Sequence, residues 1–322
     1  MEIRINRFMA DLDIVIVNWN GGNKLFECLG SIQHADTDTS FQLAKCIVVD
    51  NASTDGSVDL IRDMDLPLEL ILNTENKGFG FASNQGARCG DSKYILFLNP
   101  DVKLFPDSLS KSISFLESHD ELKIGVLGIQ MIDQNSAIHR NVARFPSPVS
   151  LFFQMLGIDR LWPRQFPAHF MTDWPHMDSR VVDQVPGSFF LVRRSLFNDL
   201  QGFDERFFMY FEDLDFAYRA RQLGWVNYYL SSVQAFHYGG GTTDQVKALR
   251  LFYVLRSRLY YVAKHSGYHW ALWIMVASLT VEVWVRLAWS AIRLSGGDLQ
   301  ETIRAYLLYT QELPVLMRKI KN

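Results

Sequence analysis

The 322-residue chain is 48% hydrophobic and 21% charged, a globular composition, and its three scattered cysteines do not suit a disulfide framework. Its net charge of −3 divides unevenly, because residues 1–255 carry 23 Lys and Arg against 31 Asp and Glu, whereas residues 256–322 carry 9 against 4. The acidic body argues against a nucleic-acid-binding protein, and the basic, Trp-rich tail favours contact with an anionic surface.

Strand-like and helix-like segments alternate over the first hundred residues. Short apolar runs predict four buried strands: LDIVIVNW, KCIVVD, LELILN and KYILFLNPD. Apolar residues at helical spacing predict helices between them: KLFECLGSIQ, SVDLIRDM and ASNQGARCG. The alternation predicts βαβ units, and therefore an α/β protein with a largely parallel sheet covered by helices. Ligands of such sheets bind at the carboxyl ends of the strands, where the clusters NWNGG, DNASTDGS, NKGFG and NPDV fall.

The alternating pattern is lost between residues 140 and 183. Prolines punctuate this segment, which is rich in Phe, Trp and Met: Pro146, Pro148, Pro163, Pro167 and Pro175. We expect an irregular insertion, which is either a lid on the acceptor side of a site or a structural cover over the sheet. After it, GSFFLVRRSLF predicts a strand entering a helix, and EDLDFAYRARQLGW predicts a helix that ends near Gly224.

The C-terminal segment HWALWIMVASLTVEVWVRLAWSAIRL is apolar for most of its length, but the charged residues Glu282, Arg286 and Arg293 interrupt it. Its uninterrupted part is shorter than the roughly 20 apolar residues that a membrane-spanning helix needs. Glu282 and Arg286 lie four apart and can pair on one helix face. Tryptophans suit the boundary between water and lipid, and four occur here: Trp270, Trp273, Trp284 and Trp289. We expect an in-plane membrane helix, with packing on the domain or on a second subunit as the alternative.

Polar groups that follow predicted strands are candidate ligand contacts. Asp50 is either a helix-capping acid or an acceptor for a base or ribose. The glycines of NKGFGFASNQG permit close approach to a ligand, but they differ from the dinucleotide fingerprint GxGxxG, which disfavours a nicotinamide enzyme. Asn99-Pro100-Asp101 is either a plain turn or the place where an acid holds Mg²⁺ or Mn²⁺ on a diphosphate.

Acidic residues stand among aromatic ones at Glu212, Asp213 and Asp215. Burying carboxylates is costly unless they are paired, bound to metal or used in chemistry. At 100° per residue the three cannot face one direction, so one can point into a cleft while another pairs with Arg219. A solvated acidic helix start is the alternative. Later in the chain, His237 precedes three glycines in FHYGGGTT, which favours a ligand-contacting loop over a core histidine.

Taken in order, seven segments resemble the inverting nucleotide-sugar glycosyltransferases of family 2, which have the GT-A fold. They are DIVIVNWNG, VVDNASTDGS, NKGFGFASNQG, FLNPDV, GSFFLVRRSLF, GFDERFFMYFEDLDFAYRARQLGW and FHYGGGTT, across roughly residues 11–243. The narrower resemblance is to the rhamnosyltransferase branch that builds bacterial surface polysaccharides. It implies a Rossmann-like nucleotide-binding domain with a mostly parallel central sheet at residues 1–250. Residues 251–322 would then form C-terminal amphipathic helices that associate with a membrane or dimerise.

The resemblance also implies how the donor would be held. Asp50 would contact the base, and the nucleotide pocket would be lined by Asn76, Gly78 and Asn84. Asp101 would hold Mg²⁺ or Mn²⁺ as the last acid of the family's Asp-x-Asp motif, and His237 would reach the metal or the diphosphate. Asn99 replaces the first acid of that motif, which leaves fewer charged ligands for the metal.

Asp213 would be the general base that deprotonates the acceptor hydroxyl as it attacks the anomeric carbon, with Glu212 in support. Aromatic surroundings would raise the pKa of Asp213 toward neutrality. Arg256 and Arg258, in YVLRSRLYY, would contact the diphosphate unless they belong to an ordinary basic helix face.

The implied function is non-processive transfer of a sugar to a lipid-linked saccharide, with dTDP-L-rhamnose as the expected donor. Two alternatives stay open: a UDP-sugar donor for galactosyl or N-acetylglucosaminyl transfer, and a non-catalytic nucleotide-sugar-binding assembly protein. The start of the sequence is not typical of a signal peptide. We therefore expect a cytoplasmic protein that is peripheral on the inner face of the cell membrane.

Overall fold

The structure is a computed structural model that describes residues 10–35, 41–239, 246–292 and 296–321. The strands found there are β1 (Ala10–Asn18), β2 (Phe41–Asp50), β3 (Leu68–Leu72), β4 (Tyr94–Leu98), β5 (Val102–Leu104), β6 (Ile124–Ile132), β7 (Arg180–Val182), β8 (Phe189–Arg193) and β9 (Val226–His237). The α-helices are α1 (Asn23–Ala35), α2 (Phe79–Ala87), α3 (Ser108–Ser118), α4 (Pro148–Met155), α5 (Ile158–Leu161), α6 (Arg194–Asp199), α7 (Glu212–Gln222), α8 (Lys247–Ser266), α9 (Tyr268–Ala277), α10 (Val283–Ile292) and α11 (Gly296–Lys321). Arg293 and two glycines of FHYGGGTT, Gly240 and Gly241, lie outside the described residues.

The strands of the described residues form one mixed sheet in the order β3-β2-β1-β4-β8-β6-β9-β5, with β7 paired to β9. The four strands β3, β2, β1 and β4 run parallel, as the alternating pattern predicts. β8 enters antiparallel between β4 and β6, and β6 pairs parallel with β9. The chain passes outward from β1 to β2 and β3, then returns to the other side of β1 as β4. This reversal opens a crevice at the carboxyl ends of the strands.

Apolar cores cover both faces of the sheet, which explains why its strands read as continuous apolar runs. One core contains Leu25 of α1 and Ile113 of α3. The other contains Ala82 of α2, Phe197 of α6 and Phe216 of α7. The mixed α/β architecture with helices on both faces confirms the expected fold class.

A third apolar cluster joins the lid segment to the C-terminal helices. It includes Leu151 of α4, Leu214 of α7, Leu259 of α8 and Tyr309 of α11, all buried. Residues on both sides of position 250 therefore share one core. The division into domains at that position remains a prediction.

The segment SVDLIRDM differs from its prediction, because it forms only a 3₁₀ turn at Asp59–Ile61. The amide of Met64 bonds to the carbonyl of Ile61 at 3.4 Å, so the i→i−4 pattern of an α-helix does not develop. Pro67 follows immediately before β3 and limits the length available for a helix.

Residues Tyr268–Ile292 form a nearly continuous helix in which a π-helical segment, Ser278–Glu282, joins α9 to α10. Its 25 residues, with a mean hydropathy of 1.6 in an 18-residue window, meet the length and composition of a membrane span, which the sequence analysis did not expect. One such helix among the described residues is weak evidence for a span, because core helices pass the same test. Glu282 is buried within this helix, on a side that faces the protein.

Candidate active site

A cavity of about 880 Å³ lies at the carboxyl ends of the parallel strands. Its walls include Val17 of β1, Asn51 after β2 and Asn99 after β4. Much of the remaining lining comes from the lid segment, the start of α7, and helices α8, α10 and α11. Residues at three neighbouring strand ends, of which Asn51 and Asn99 are polar, thus meet around one space, as the sheet topology predicts.

Asp50 lies beneath this cavity and organises the loop after β2. Its Oδ1 accepts hydrogen bonds from Asn18 Nδ2 at 2.7 Å and from the Ser53 hydroxyl at 2.6 Å. Its Oδ2 accepts from the Ser53 amide at 2.9 Å. Asp50 is buried, and the next residue, Asn51, is the one that lines the cavity. A direct contact between Asp50 and a base therefore remains a prediction.

The loop at Asn76–Gly78 is joined to the stretch before α7. Asn76 lines the cavity and its Oδ1 accepts the Gly78 amide at 2.9 Å. Gly78 has φ +90°, and an added Cβ would lie 2.4 Å from the Phe208 carbonyl oxygen. The adjacent Phe79 amide donates to that same carbonyl at 2.7 Å. The close approach that requires glycine here is therefore to the protein's own backbone.

Asp101 and His237 meet at the cavity wall, although 136 positions separate them. The β5–β9 pairing places Val102 opposite His237, and His237 Nε2 lies 3.3 Å from Asp101 Oδ1. Both residues line the cavity. Burial acts to raise the pKa of Asp101, but the hydrogen bond and charge of His237 outweigh it and lower that pKa below its ordinary value. Asp101 is therefore held as a carboxylate.

The pair fits a divalent cation held jointly with a substrate. Oxygen and imidazole ligands suit Mn²⁺, and Mg²⁺ characteristically keeps waters and binds substrate phosphates. His237 Nδ1 is buried without a hydrogen-bond partner among the described residues. The described chain contains no cluster of three or more His, Cys, Asp or Glu that could hold a metal alone. A metal bound here would therefore need ligands from a diphosphate or water.

Asp213 lies in the first turn of α7, directly after two residues with left-handed backbone conformations, Tyr210 (φ +65°) and Phe211 (φ +69°). Such strained conformations cluster at functional sites. Asp213 is partly exposed and lines the cavity. Its Oδ2 accepts the Gly187 amide at 3.1 Å, and its Oδ1 accepts the Leu214 amide at 2.8 Å. Two fixed donors thus orient the carboxylate.

Burial raises the pKa of Asp213, and the backbone hydrogen bond from Leu214 and the side chain of Gln184 oppose this only partly. Glu212 is buried, and its Oε2 has no hydrogen-bond partner among the described residues. Burial and the charge of Asp213 raise the pKa of Glu212 well above its ordinary value. The two carboxyl groups therefore differ: Asp213 accepts two amides beside the cavity, whereas Glu212 favours its neutral form.

Asp215 turns away from the cavity and is completely buried. Its Oδ2 accepts from Arg219 Nε at 2.7 Å, as the sequence spacing predicts. Its Oδ1 lies 2.7 Å from Lys264 Nζ and 2.8 Å from His265 Nε2, both at the end of α8. The three acids thus divide as expected from helical geometry, and Asp215 ties α7 to α8.

Comparison with known proteins identifies the family. A model described as glycosyl transferase family 2 matches residues 13–201, which is more than half of the chain. The chain belongs to glycosyltransferase family 2. It is therefore an enzyme that transfers sugars, and the matched region contains the cavity-lining strand ends Val17, Asn51 and Asn99.

Relatives of this family 2 glycosyltransferase include rhamnosyltransferases. It is 28% identical over 271 residues, 80% of the chain and 86% of the relative, to N-acetylglucosaminyl-diphospho-decaprenol L-rhamnosyltransferase of Mycobacterium tuberculosis. It is 31% identical over 196 residues, 58% of the chain and 70% of the relative, to rhamnosyltransferase WbbL of Escherichia coli K12. The structure of the mannosyltransferase PcManGT from Pyrobaculum calidifontis, in complex with GDP-Man and Mn²⁺, matches with a TM-score of 0.52 and 14% identity. That match covers 93% of this chain and 86% of the mannosyltransferase, and it supports the GT-A fold.

Asn84, which we expect in the nucleotide pocket of the glycosyltransferase, is hydrogen-bonded by the protein's own backbone. Asn84 Oδ1 accepts the Phe203 amide at 2.8 Å, and its Nδ2 donates to the Phe203 carbonyl at 2.8 Å and to Glu205 at 3.0 Å. Asn84 is buried and does not line the cavity. Its side chain fastens α2 to the loop before α7, so its polar atoms are used for structure.

The two arginines expected at the diphosphate both contact acids of the C-terminal helices. Arg258 is buried and its guanidinium donates to Glu282 and to Ser278 Oγ, the latter at 2.8 Å. Arg258 lines the cavity, whereas Arg256 does not and faces Glu312 at 3.4 Å. Both guanidinium groups therefore bind the C-terminal helices. A contact of either arginine with the diphosphate remains a prediction.

Sequence reasoning missed several residues that line the cavity of the glycosyltransferase. Gln184 and Gly187 approach Asp213, and a Cβ added to Gly187 would lie 3.1 Å from Asp213 Oδ2. Lys24 and Arg250 bring cations to the lining. Gly187, the first residue of GSFF, was a usable sequence signal for a close approach. Lys24 and Arg250 carry no such signal beyond their positions in helices.

Proposed function

We propose that this glycosyltransferase transfers L-rhamnose from dTDP-L-rhamnose to a lipid-linked saccharide in the synthesis of a cell-surface polysaccharide, with inversion at the anomeric carbon. The observation that carries the proposal is the shared cavity, in which Asp213 faces the same space as Asp101 and His237. The printed name of the M. tuberculosis relative supports the donor sugar and the acceptor class, since the two chains align over most of their lengths.

Asp213 is the proposed general base. Its carboxylate takes the proton of the acceptor hydroxyl while that oxygen forms a bond to the anomeric carbon of the donor. The bond between the anomeric carbon and the diphosphate oxygen breaks, and the leaving dTDP keeps the electron pair. Amide donation from Gly187 at 3.1 Å fixes one carboxylate oxygen, and burial raises the pKa of Asp213 toward the operating pH.

The leaving group is the proposed partner of Asp101 and His237. A divalent metal bound there would neutralise charge that develops on the departing diphosphate. Asp101 contributes a carboxylate that stays ionised, and His237 lies beside it at 3.3 Å. Asn76 and Asn51 lie at the strand ends of the same cavity and would hydrogen-bond the nucleoside. Asn99 adds an amide where the family's motif has an acid.

We also propose that the protein works at the cytoplasmic face of the membrane through its C-terminal region. Trp284 is 68% exposed and Trp270 is 43% exposed, on the helix Tyr268–Ile292. Tryptophan side chains prefer the boundary between water and lipid. The acid of this helix, Glu282, is buried against Arg258, so the exposed face stays free of negative charge.

The test measures dTDP release and sugar transfer with Mn²⁺ or Mg²⁺, across a panel of nucleotide sugars and with a synthetic lipid-diphosphate saccharide as acceptor. Wild type should act selectively on dTDP-rhamnose and lose activity in EDTA. Asp213→Asn should lower kcat about 10²- to 10⁴-fold, the usual contribution of a general base, while donor affinity stays unchanged. The matched control is Asp178→Asn, which changes an exposed carboxylate paired with Arg180.

Selective release of UDP from a UDP-sugar would keep the enzyme class and overturn the donor. Near-normal turnover by Asp213→Asn would overturn the assigned base. Binding of nucleotide sugars without any transfer would favour the non-catalytic assembly protein.

A further inference from the structure

The tryptophans of this chain are distributed unevenly between core and surface. The chain has eight, and the structure describes all of them. The five exposed ones are Trp162, Trp270, Trp273, Trp284 and Trp289. All five lie in two segments, which we call the lid edge (residues 148–166) and the tail helix (residues 268–292). Exposed tryptophans confined in this way indicate a surface that meets something other than water.

The lid edge and the tail helix are in direct contact. The rings of Phe152 in α4 and Trp273 in α9 pack with centroids 4.7 Å apart. Within the lid edge, Phe153 packs on Phe166 at 4.3 Å, which holds the turn around Trp162 close to α4. The exposed apolar groups of the two segments therefore belong to neighbouring parts of one side of the molecule.

The charges of the two segments have one sign at the surface. Each segment contains a single acid, Asp159 or Glu282, and both are buried. In the lid edge, Arg160 and Arg164 are exposed. In the tail helix, Arg286 is partly exposed while it pairs with Glu282. An apolar, aromatic surface whose exposed charges are all positive complements a bilayer that contains anionic phospholipids.

The same two segments line the cavity that contains Asp213. Leu151, Gln154 and Arg160 of the lid edge contribute to its wall. The tail helix contributes Val285, Arg286 and Trp289. Both segments therefore share one cavity with Asp213.

We propose that the lid edge and the tail helix form one docking surface for an anionic phospholipid bilayer, and that a lipid-anchored acceptor reaches the cavity between them. This inference rests on the proposed function, because it supplies the route for the lipid-linked acceptor. It goes further by assigning membrane contact to the lid edge, which lies more than 100 residues before the tail helix.

The experiment uses the full chain with vesicles of phosphatidylglycerol and phosphatidylcholine, compared with phosphatidylcholine alone, in a flotation assay. The lid variant is the double substitution Leu161→Gln and Trp162→Gln, at side chains that are 66% and 55% exposed and therefore contribute little to packing. The tail variant is Trp284→Gln. The matched control is Leu223→Gln, which removes a 56% exposed leucine after α7 and outside both segments.

Wild type should bind the anionic vesicles more tightly than the neutral ones. Leu and Trp side chains that enter the lipid contribute strongly to membrane partitioning. The lid variant should therefore weaken vesicle binding roughly ten-fold or more, as should the tail variant. The Leu223 control should bind like wild type. The lid variant should also lose transfer to a vesicle-embedded acceptor while it keeps donor affinity.

Three results would overturn the inference. The first is absence of wild-type binding to anionic vesicles, and the second is normal binding by the lid variant when the tail variant is impaired. The third is a change from dimer to monomer in the lid variant, by sedimentation velocity, with vesicle binding unaltered, since this would assign the surface to a second copy of the chain. Donor selectivity, measured by dTDP release in the same preparations, reports separately on the proposed function.

Discussion

Replacing Asp215 by asparagine tests the connection between α7 and the C-terminal helices. The carboxylate is completely buried and lies within 2.8 Å of Arg219, Lys264 and His265. Asp215→Asn keeps the volume but removes the charge, and breaking a buried ion pair by removing one partner costs about 3–5 kcal/mol. Lys264 would keep its contact with Asp204 at 2.7 Å. We therefore expect the lower end of that range, a loss of about 3 kcal/mol in the free energy of unfolding.

Urea unfolding of the full chain at pH 7 measures this loss through the transition midpoint and slope. The matched control is Asp59→Asn, since Asp59 is 77% exposed in its pair with Arg62 and such surface pairs contribute less than about 1 kcal/mol. A loss for Asp215→Asn no larger than that of the control would refute the view that this carboxylate anchors α7.

The same substitution has a pH dependence of known sign. Burial acts to raise the pKa of Asp215, but the hydrogen bond from His265 and the charges of Arg219 and Lys264 outweigh it, so its pKa lies below the ordinary value of 3.8. A carboxyl group with a lowered pKa in the folded state stabilises that state above its unfolded pKa, and this contribution is lost as the pH falls. The difference between wild type and Asp215→Asn should thus be complete at neutral pH and shrink below about pH 4.

Glu212→Gln should raise the thermal midpoint relative to wild type as the pH rises above about 4.5, because the raised pKa of Glu212 makes ionisation in the folded state unfavourable. A difference that does not grow with pH in calorimetry would contradict this. Asp101→Ala should weaken Mn²⁺-dependent binding of dTDP-rhamnose at least ten-fold by titration calorimetry. EDTA should abolish this difference between the variant and wild type. Equal affinity of the two proteins in Mn²⁺ would exclude Asp101 from the metal site. Arg258→Met should lower the free energy of unfolding, measured in urea, by about 3–5 kcal/mol. Adding Glu282→Leu should restore most of that loss. A double variant as unstable as the single one would refute the pairing.

The alternating half of the fold was predictable because its information is local. The runs that became β1 to β4 are apolar and β-branched, and parallel strands of a covered sheet require that composition. That Asp101 and His237 serve one site was available only through resemblance, since their contact depends on β5–β9 pairing between segments more than 130 residues apart. The helix predicted for SVDLIRDM is wrong, because the prediction used helical spacing over eight residues and ignored Pro67, which follows the segment.

Long-range packing gave several of the expected ligand contacts a partner within the protein. Asn84 has the polar group expected to bind a ligand. The backbone of Phe203, 119 positions away, forms hydrogen bonds with both the oxygen and the nitrogen of its side-chain amide. Arg258 meets Glu282 only because α8 packs on the π-helical segment. A sequence pattern identifies a side chain that needs a partner, and the tertiary structure decides whether a ligand or the protein supplies it.

The apolar cluster shared by α4, α7, α8 and α11 makes the C-terminal helices inseparable from the rest of the enzyme. Transplanting residues 251–322 from a relative would set foreign side chains against Leu151 and Leu214. Cavities or overpacking in a core typically cost about 1–3 kcal/mol at each poor fit. We therefore expect a chimaera to keep its stability only when both sides of the cluster come from the same parent. Substitutions in the buried faces of the C-terminal helices thereby call for compensating changes in the helix that carries Asp213.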